Sequence, residues 1–82
     1  MTYHYRTRGT CSREICFDLE DGIVKNIRFV GGCNGNTQGI AALAEGMTAD
    51  EVIARLAGID CNRRGTSCPD QLANAVREAM QQ

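Results

Sequence analysis

Apolar and polar side chains alternate along two stretches of the chain: Ile15, Phe17 and Leu19 against Cys16, Asp18 and Glu20, then Ile23 to Val30 with Ile27 and Phe29 in phase. A period of two marks a strand with one buried face. Glu20-Asp21-Gly22 between them is a hairpin signal. Two registers compete. A two-residue Asp21-Gly22 loop pairs Leu19 with Val24 but sets Phe17 against Asn26 and Ile15 against Arg28, mixing apolar and polar side chains on one face. A three-residue loop with Gly22 left-handed pairs Leu19 with Ile23, Ile15 with Ile27 and Arg13 with Phe29, and the pattern favours it. That ladder sets Cys11 opposite Gly31, brings Cys33 one diagonal step beyond on the same face, and turns Cys16 to the other face. Tyr3-His4-Tyr5-Arg6-Thr7 also alternates and offers a third antiparallel strand.

After Gly31-Gly32-Cys33-Asn34-Gly35-Asn36 the period becomes helical. Ile40, Leu43 and Ala44 form a short apolar face that ends at Gly46. Thr48-Ala49-Asp50-Glu51 is a capping box, with Met47 placed to staple onto Val52. Val52, Ile53 and Leu56 make the buried stripe of that helix, and Gly58 is its left-handed stop. A last helix starts at Ser67-Cys68-Pro69-Asp70: serine caps, proline has no N–H to leave unpaired in the first turn, and the aspartate complements the helix dipole. Leu72, Val76, Ala79 and Met80 recur at helical spacing as its core face. The prediction is an α+β fold, an antiparallel sheet of two or three N-terminal strands with three short helices packed on one face.

Composition bounds this picture. The 82 residues are 43% hydrophobic and 23% charged, too aliphatic for disorder and too short for more than a single domain over 1–82. A chain this small buries a thin core, so a covalent or metal staple is expected. A net charge of −1 and pI near 5.7 argue against nucleic acid or an anionic membrane as partner. No apolar run is long enough to span a bilayer, and Met1 to Arg6 lacks the apolar stretch of a signal peptide, so a cytoplasmic protein is expected.

Five cysteines in such a chain argue against a complete set of structural disulfides. Metal ligation, thiol redox chemistry and plain packing stay open. Cys11 and Cys33 leave the open end of the hairpin, Cys61 follows a helix stop and Cys68 opens the last helix, so these four lie at element ends where segments converge. Four thiolates hold zinc at about 2.3 Å each. No C-x-x-C pair occurs, and Cys61 to Cys68 is a loose knuckle. Cys68 is also the redox candidate, because a helix N-terminus favours the thiolate. Cys16 reads as a strand residue, His4 as an exposed strand residue, and Asp18, Glu20 and Asp21 as a solvated turn. The loop from Gly31 to Gly39 lacks the Gly-Lys-Ser/Thr of a Walker loop; its amides suit an anion, or its glycines give the backbone room beside a thiolate cluster.

Thr66-Ser67-Cys68-Pro69-Asp70, continuing as Gln71-Leu72-Ala73, resembles the signature of the TSCPD domain family. With Asp21-Gly22, Gly31-Gly32-Cys33-Asn34-Gly35-Asn36 and Gly58-Ile59-Asp60-Cys61, the chain is similar to the small stand-alone four-cysteine members over nearly its whole length. The resemblance implies that the family's four cysteines fall on Cys11, Cys33, Cys61 and Cys68, with Cys16 extra. Related domains lie near the C-terminus of adenosylcobalamin-dependent ribonucleotide reductases, and small members are labelled ribonucleoside-diphosphate reductase by that similarity. A chain of 82 residues has no room for the reductase barrel, so the implied role is accessory. A weaker likeness is to iron–sulfur cluster scaffold proteins, through Gly32-Cys33, Glu45-Gly46-Met47-Thr48, Cys61 and Cys68.

The expectation is a structural or interaction module binding Zn²⁺ through Cys11, Cys33, Cys61 and Cys68; the pattern leans against stand-alone catalysis without deciding it. Its partner would be a ribonucleotide reductase or another protein, and the exposed helix faces leave room for a homodimer. The alternatives are a thiol-redox protein working through Cys61 and Cys68, an iron–sulfur cluster carrier or scaffold, and a nucleotide-sensing module built on the glycine loop.

Overall fold

The computed structural model describes residues 2–9, 12–31, 34–60 and 65–81. Three strands come first, β1 (Thr2–Arg6), β2 (Ser12–Glu20) and β3 (Ile23–Gly31), followed by α1 (Asn34–Ala44), α2 (Ala49–Leu56) and α3 (Cys68–Met80). The strands form one antiparallel sheet in the order β1-β2-β3, so the alternating Tyr3 segment does add the third strand. This is the α+β arrangement that the change of period from two to helical predicts.

The hairpin register differs from the expected one. Glu20 pairs with Ile23 and Leu19 with Val24, leaving a two-residue loop of Asp21 and Gly22 with φ of 51° and 77°. Two left-handed residues make the turn whose twist matches that of the flanking strands. The mixing of faces that argued against this loop is removed by a bulge. Between the pairs Cys16/Arg28 and Asp18/Lys25, Phe17 lies across from both Asn26 and Ile27, and Asn26 has φ of 54°. The extra residue restores the phase, so that Ile15 faces Phe29 rather than Ile27 or Arg28. Asn26 is held there by its N–H, which donates to both Glu45 carboxylate oxygens at 2.9 and 3.1 Å, and by its side-chain amide, which donates to Asp18 Oδ2 at 2.7 Å. A second shift between Ser12 and Glu14 pairs Gly31 with Ser12, not with Cys11.

Ile15, Phe17, Val24 and Ile27 of the sheet bury against Ala44 of α1, Ala49 and Val52 of α2, and Leu72, Ala75, Val76 and Ala79 of α3. Tyr3 and Tyr5 pack on the edge of this core, with the Tyr3 and Phe17 rings stacked at 5.6 Å. Two residues expected in the core are not there: Leu43 is 80% exposed and Met80 48%. The α1 contact runs along the Ile40–Ala44 row, four residues apart, which rotates Leu43 outward. Met80 is the final helical residue of α3. The α1–α2 turn adds to the start of β3: Val24 N–H donates to Met47 O and Gly46 N–H to Val24 O, both at 2.8 Å. No helix is long and apolar enough to cross a membrane among the described residues.

Candidate metal centre

Of the four cysteines that the sequence puts forward, Cys11, Cys33 and Cys61 lie outside the described residues. Cys68 is the first residue of α3, half-buried. Its placement follows from the cap. Ser67 has extended backbone and its Oγ accepts from Asp70 N–H at 3.1 Å, the expected N-cap. The same Oγ donates to Ile59 O at 2.6 Å, and Asp70 Oδ1 accepts from Gly58 N–H at 2.6 Å, so the helix start is tied to the segment after α2. Gln71 accepts from Arg8 N–H at 3.1 Å through its side-chain oxygen and donates to Thr66 Oγ1 at 2.9 Å, which ties it to the β1–β2 connection. Cys68 Sγ itself lies 3.4 Å from Ser12 Oγ at the start of β2. Ser12 in turn pairs with Gly31, the last residue of β3.

A second group stands elsewhere on the sheet. β1 and β2 pair with His4 opposite Cys16, and Glu14 lies two residues before Cys16 on the same strand. Tyr3, Tyr5, Ile15 and Phe17 turn into the core, so the alternation sends His4, Glu14 and Cys16 to the other face. His4 Nδ1 is 3.1 Å from Cys16 Sγ, Cys16 Sγ donates to Glu14 Oε1 at 3.4 Å, and Nδ1 to Oε1 is 3.8 Å. Nitrogen, sulfur and oxygen donors thus gather around one point, in a group able to hold a metal ion. Burial, reinforced by the hydrogen bond to Glu14 and its charge, pushes the Cys16 thiol above its ordinary pKa; Arg28, directly across on β3, pulls the other way. On the same face Asp18 accepts from Thr2 Oγ1 at 2.5 Å and from Asn26, and these two bonds hold its carboxyl below the ordinary range.

The sequence pattern by itself marks Cys16 and His4 as plain strand residues. Cys16 does turn away from the core face, as its position in the alternation indicates, but it is not an isolated thiol. The shared parity of Glu14 and Cys16, and of His4 between two tyrosines, is legible; the register that brings the strands together is not, because Cys16 and His4 are twelve residues apart.

A three-stranded sheet with a His4, Glu14 and Cys16 donor group on its open face, backed by helices whose last begins Ser-Cys-Pro-Asp, defines a small α+β protein with a candidate metal site. The family model of the TSCPD domain matches residues 1–80, and the chain belongs to that family. No curated protein and no solved structure matches it.

Proposed function

We propose that this protein is a metal-binding module whose centre is the four thiolates of Cys11, Cys33, Cys61 and Cys68, holding one Zn²⁺ and serving as a structural or interaction unit. The observation that carries this reading is the convergence around Cys68. Ser12, the neighbour of Cys11, touches Cys68 Sγ and pairs with Gly31, two residues before Cys33. Ile59, two residues before Cys61, is bonded to the Ser67 cap. The donor chemistry fits: four thiolates favour zinc or an iron–sulfur cluster over harder ions. When bound, the ion would supply the staple that a small core calls for, linking sheet, interhelical segment and α3. The adenosylcobalamin-dependent ribonucleotide reductases, through the family resemblance, are the partner class to assay.

Metal analysis of protein purified anaerobically without a nickel column tests this. About one equivalent of zinc, retained through purification and lost in Cys68→Ser, is the expected result. Less than about a tenth of an equivalent of any transition metal would overturn the proposal, because a folded four-thiolate site does not lose its ion on dilution. Visible absorbance with matching iron and sulfide would replace zinc by an iron–sulfur cluster.

A further inference from the structure

We propose a second metal site, separate from the four-thiolate centre, in which His4 Nδ1, the Cys16 thiolate and the Glu14 carboxylate bind one Zn²⁺-class divalent ion on the open face of the sheet. The geometry carries it. A tetrahedral zinc ion with sulfur at about 2.3 Å and nitrogen and oxygen at about 2.0–2.2 Å has donor-to-donor edges of about 3.4–3.6 Å. The three edges here are 3.1, 3.4 and 3.8 Å, on both sides of that range, so side-chain shifts of a few tenths of an ångström close the set.

The strands hold two of these residues in place before any ion arrives. His4 and Cys16 are direct partners across the β1–β2 ladder, and Glu14 is Cys16's next neighbour on the same face. Cys16 is 7% exposed, whereas the side chains of His4 and Glu14 are 61% and 41% exposed, so sulfur forms the floor and the ion enters from solvent. Three protein donors leave the fourth position to water, the arrangement of an open rather than a closed zinc site. Binding exchanges the thiol proton, released to solvent, for the metal–sulfur bond. Thiolate and carboxylate then balance the charge of the ion.

A nucleophilic Cys–His–Glu triad uses the same residue types but a different geometry. In a triad the acid orients the imidazole from the nitrogen remote from the nucleophile. Here the one nitrogen Nδ1 faces both sulfur and carboxylate, and Glu14 accepts from the thiol directly. Converging donors are what an ion requires.

His4 is the sole histidine of the chain, so its imidazole resonances report the site without ambiguity. The Cys68→Ser variant, which takes away a ligand of the other centre, is freed of metal by chelation and titrated with Zn²⁺ under reducing conditions. A saturating change of the His4 imidazole nitrogen shift at one equivalent, absent in Cys16→Ser/Cys68→Ser, is expected. Wild type preloaded with one equivalent of zinc, which fills the four-thiolate centre, should then take up Co²⁺ with a thiolate-to-cobalt charge-transfer band that His4→Ala and Cys16→Ser lose. An unmoved His4 resonance overturns the proposal, as does a cobalt band that persists in both variants. If Cys68→Ser does not fold, the His4 resonance of zinc-loaded wild type under further Zn²⁺ decides between the same two outcomes. Failure of the four-thiolate centre would instead appear as zinc content indifferent to Cys68, with the His4 response intact.

Discussion

Cys16 is buried on the sheet face away from the core, between a histidine and a carboxylate. Burial first, then the Glu14 hydrogen bond and charge, raise its pKa, against the weaker pull of Arg28. The sign follows: the native chain holds this proton more tightly than the unfolded chain does. The stabilisation is full below the thiol's unfolded pKa and is lost as pH rises through the folded value. In chelator-treated protein, alkylation of Cys16 by iodoacetamide should therefore begin at higher pH in the folded chain than in denaturant. Glu14→Gln, which removes the nearby negative charge, should bring that onset back toward neutral. Peptide mass spectrometry across a pH series measures both; identical onsets in folded and unfolded protein would contradict the assignment. His4 shows the limit of reading one residue at a time, since an exposed strand histidine and a ligand have the same local sequence.

At the level of elements, helix starts are carried by residues close in sequence. Thr48 Oγ1 accepts from Glu51 N–H at 3.2 Å and Ser67 Oγ from Asp70 N–H at 3.1 Å, as the Thr48 capping box and the Ser67 cap spell out. The hairpin depends on more. Its two-residue loop keeps the sheet faces pure only because Asn26 adopts a left-handed conformation and adds one residue to β3. An alanine there carries the left-handed penalty that glycine avoids, about 1 kcal/mol. Asn26→Ala should be less stable than Asn26→Gly by about that amount in urea unfolding, with both lacking the amide bond to Asp18. Equal stabilities would mean that the bulge does not set the register.

On the scale of the molecule, the core is made largely of small side chains. Its fully buried larger members are Phe17, Ile15, Leu72, Val24, Val52 and Val76, with alanines filling the helix side. Leu72 lies where α3 meets the rest of the core, and Leu72→Ala should cost about 2–5 kcal/mol. A domain of this length holds roughly 4–12 kcal/mol in total, so the variant should unfold at a markedly lower temperature. An ion that binds only the folded chain should restore part of the loss, about 2.7 kcal/mol at a hundredfold excess over its dissociation constant. Thermal unfolding with and without added zinc, under reducing conditions, reads both effects; a midpoint insensitive to zinc would count against metal as the staple of this fold.

The order of strands and helices, the place of the hairpin turn, the caps of α2 and α3 and the Ser-Cys-Pro-Asp helix start were all determined by the sequence itself. Each rests on backbone preferences and side-chain bonds within a few residues, and local composition encodes them. Strand register was decided by the tertiary structure, since Glu45, beyond α1, is what grips the Asn26 bulge. So was the meeting of His4 with Glu14 and Cys16, because the spacing between strands of a sheet is set by hydrogen bonds across the ladder, which no pattern along one strand records.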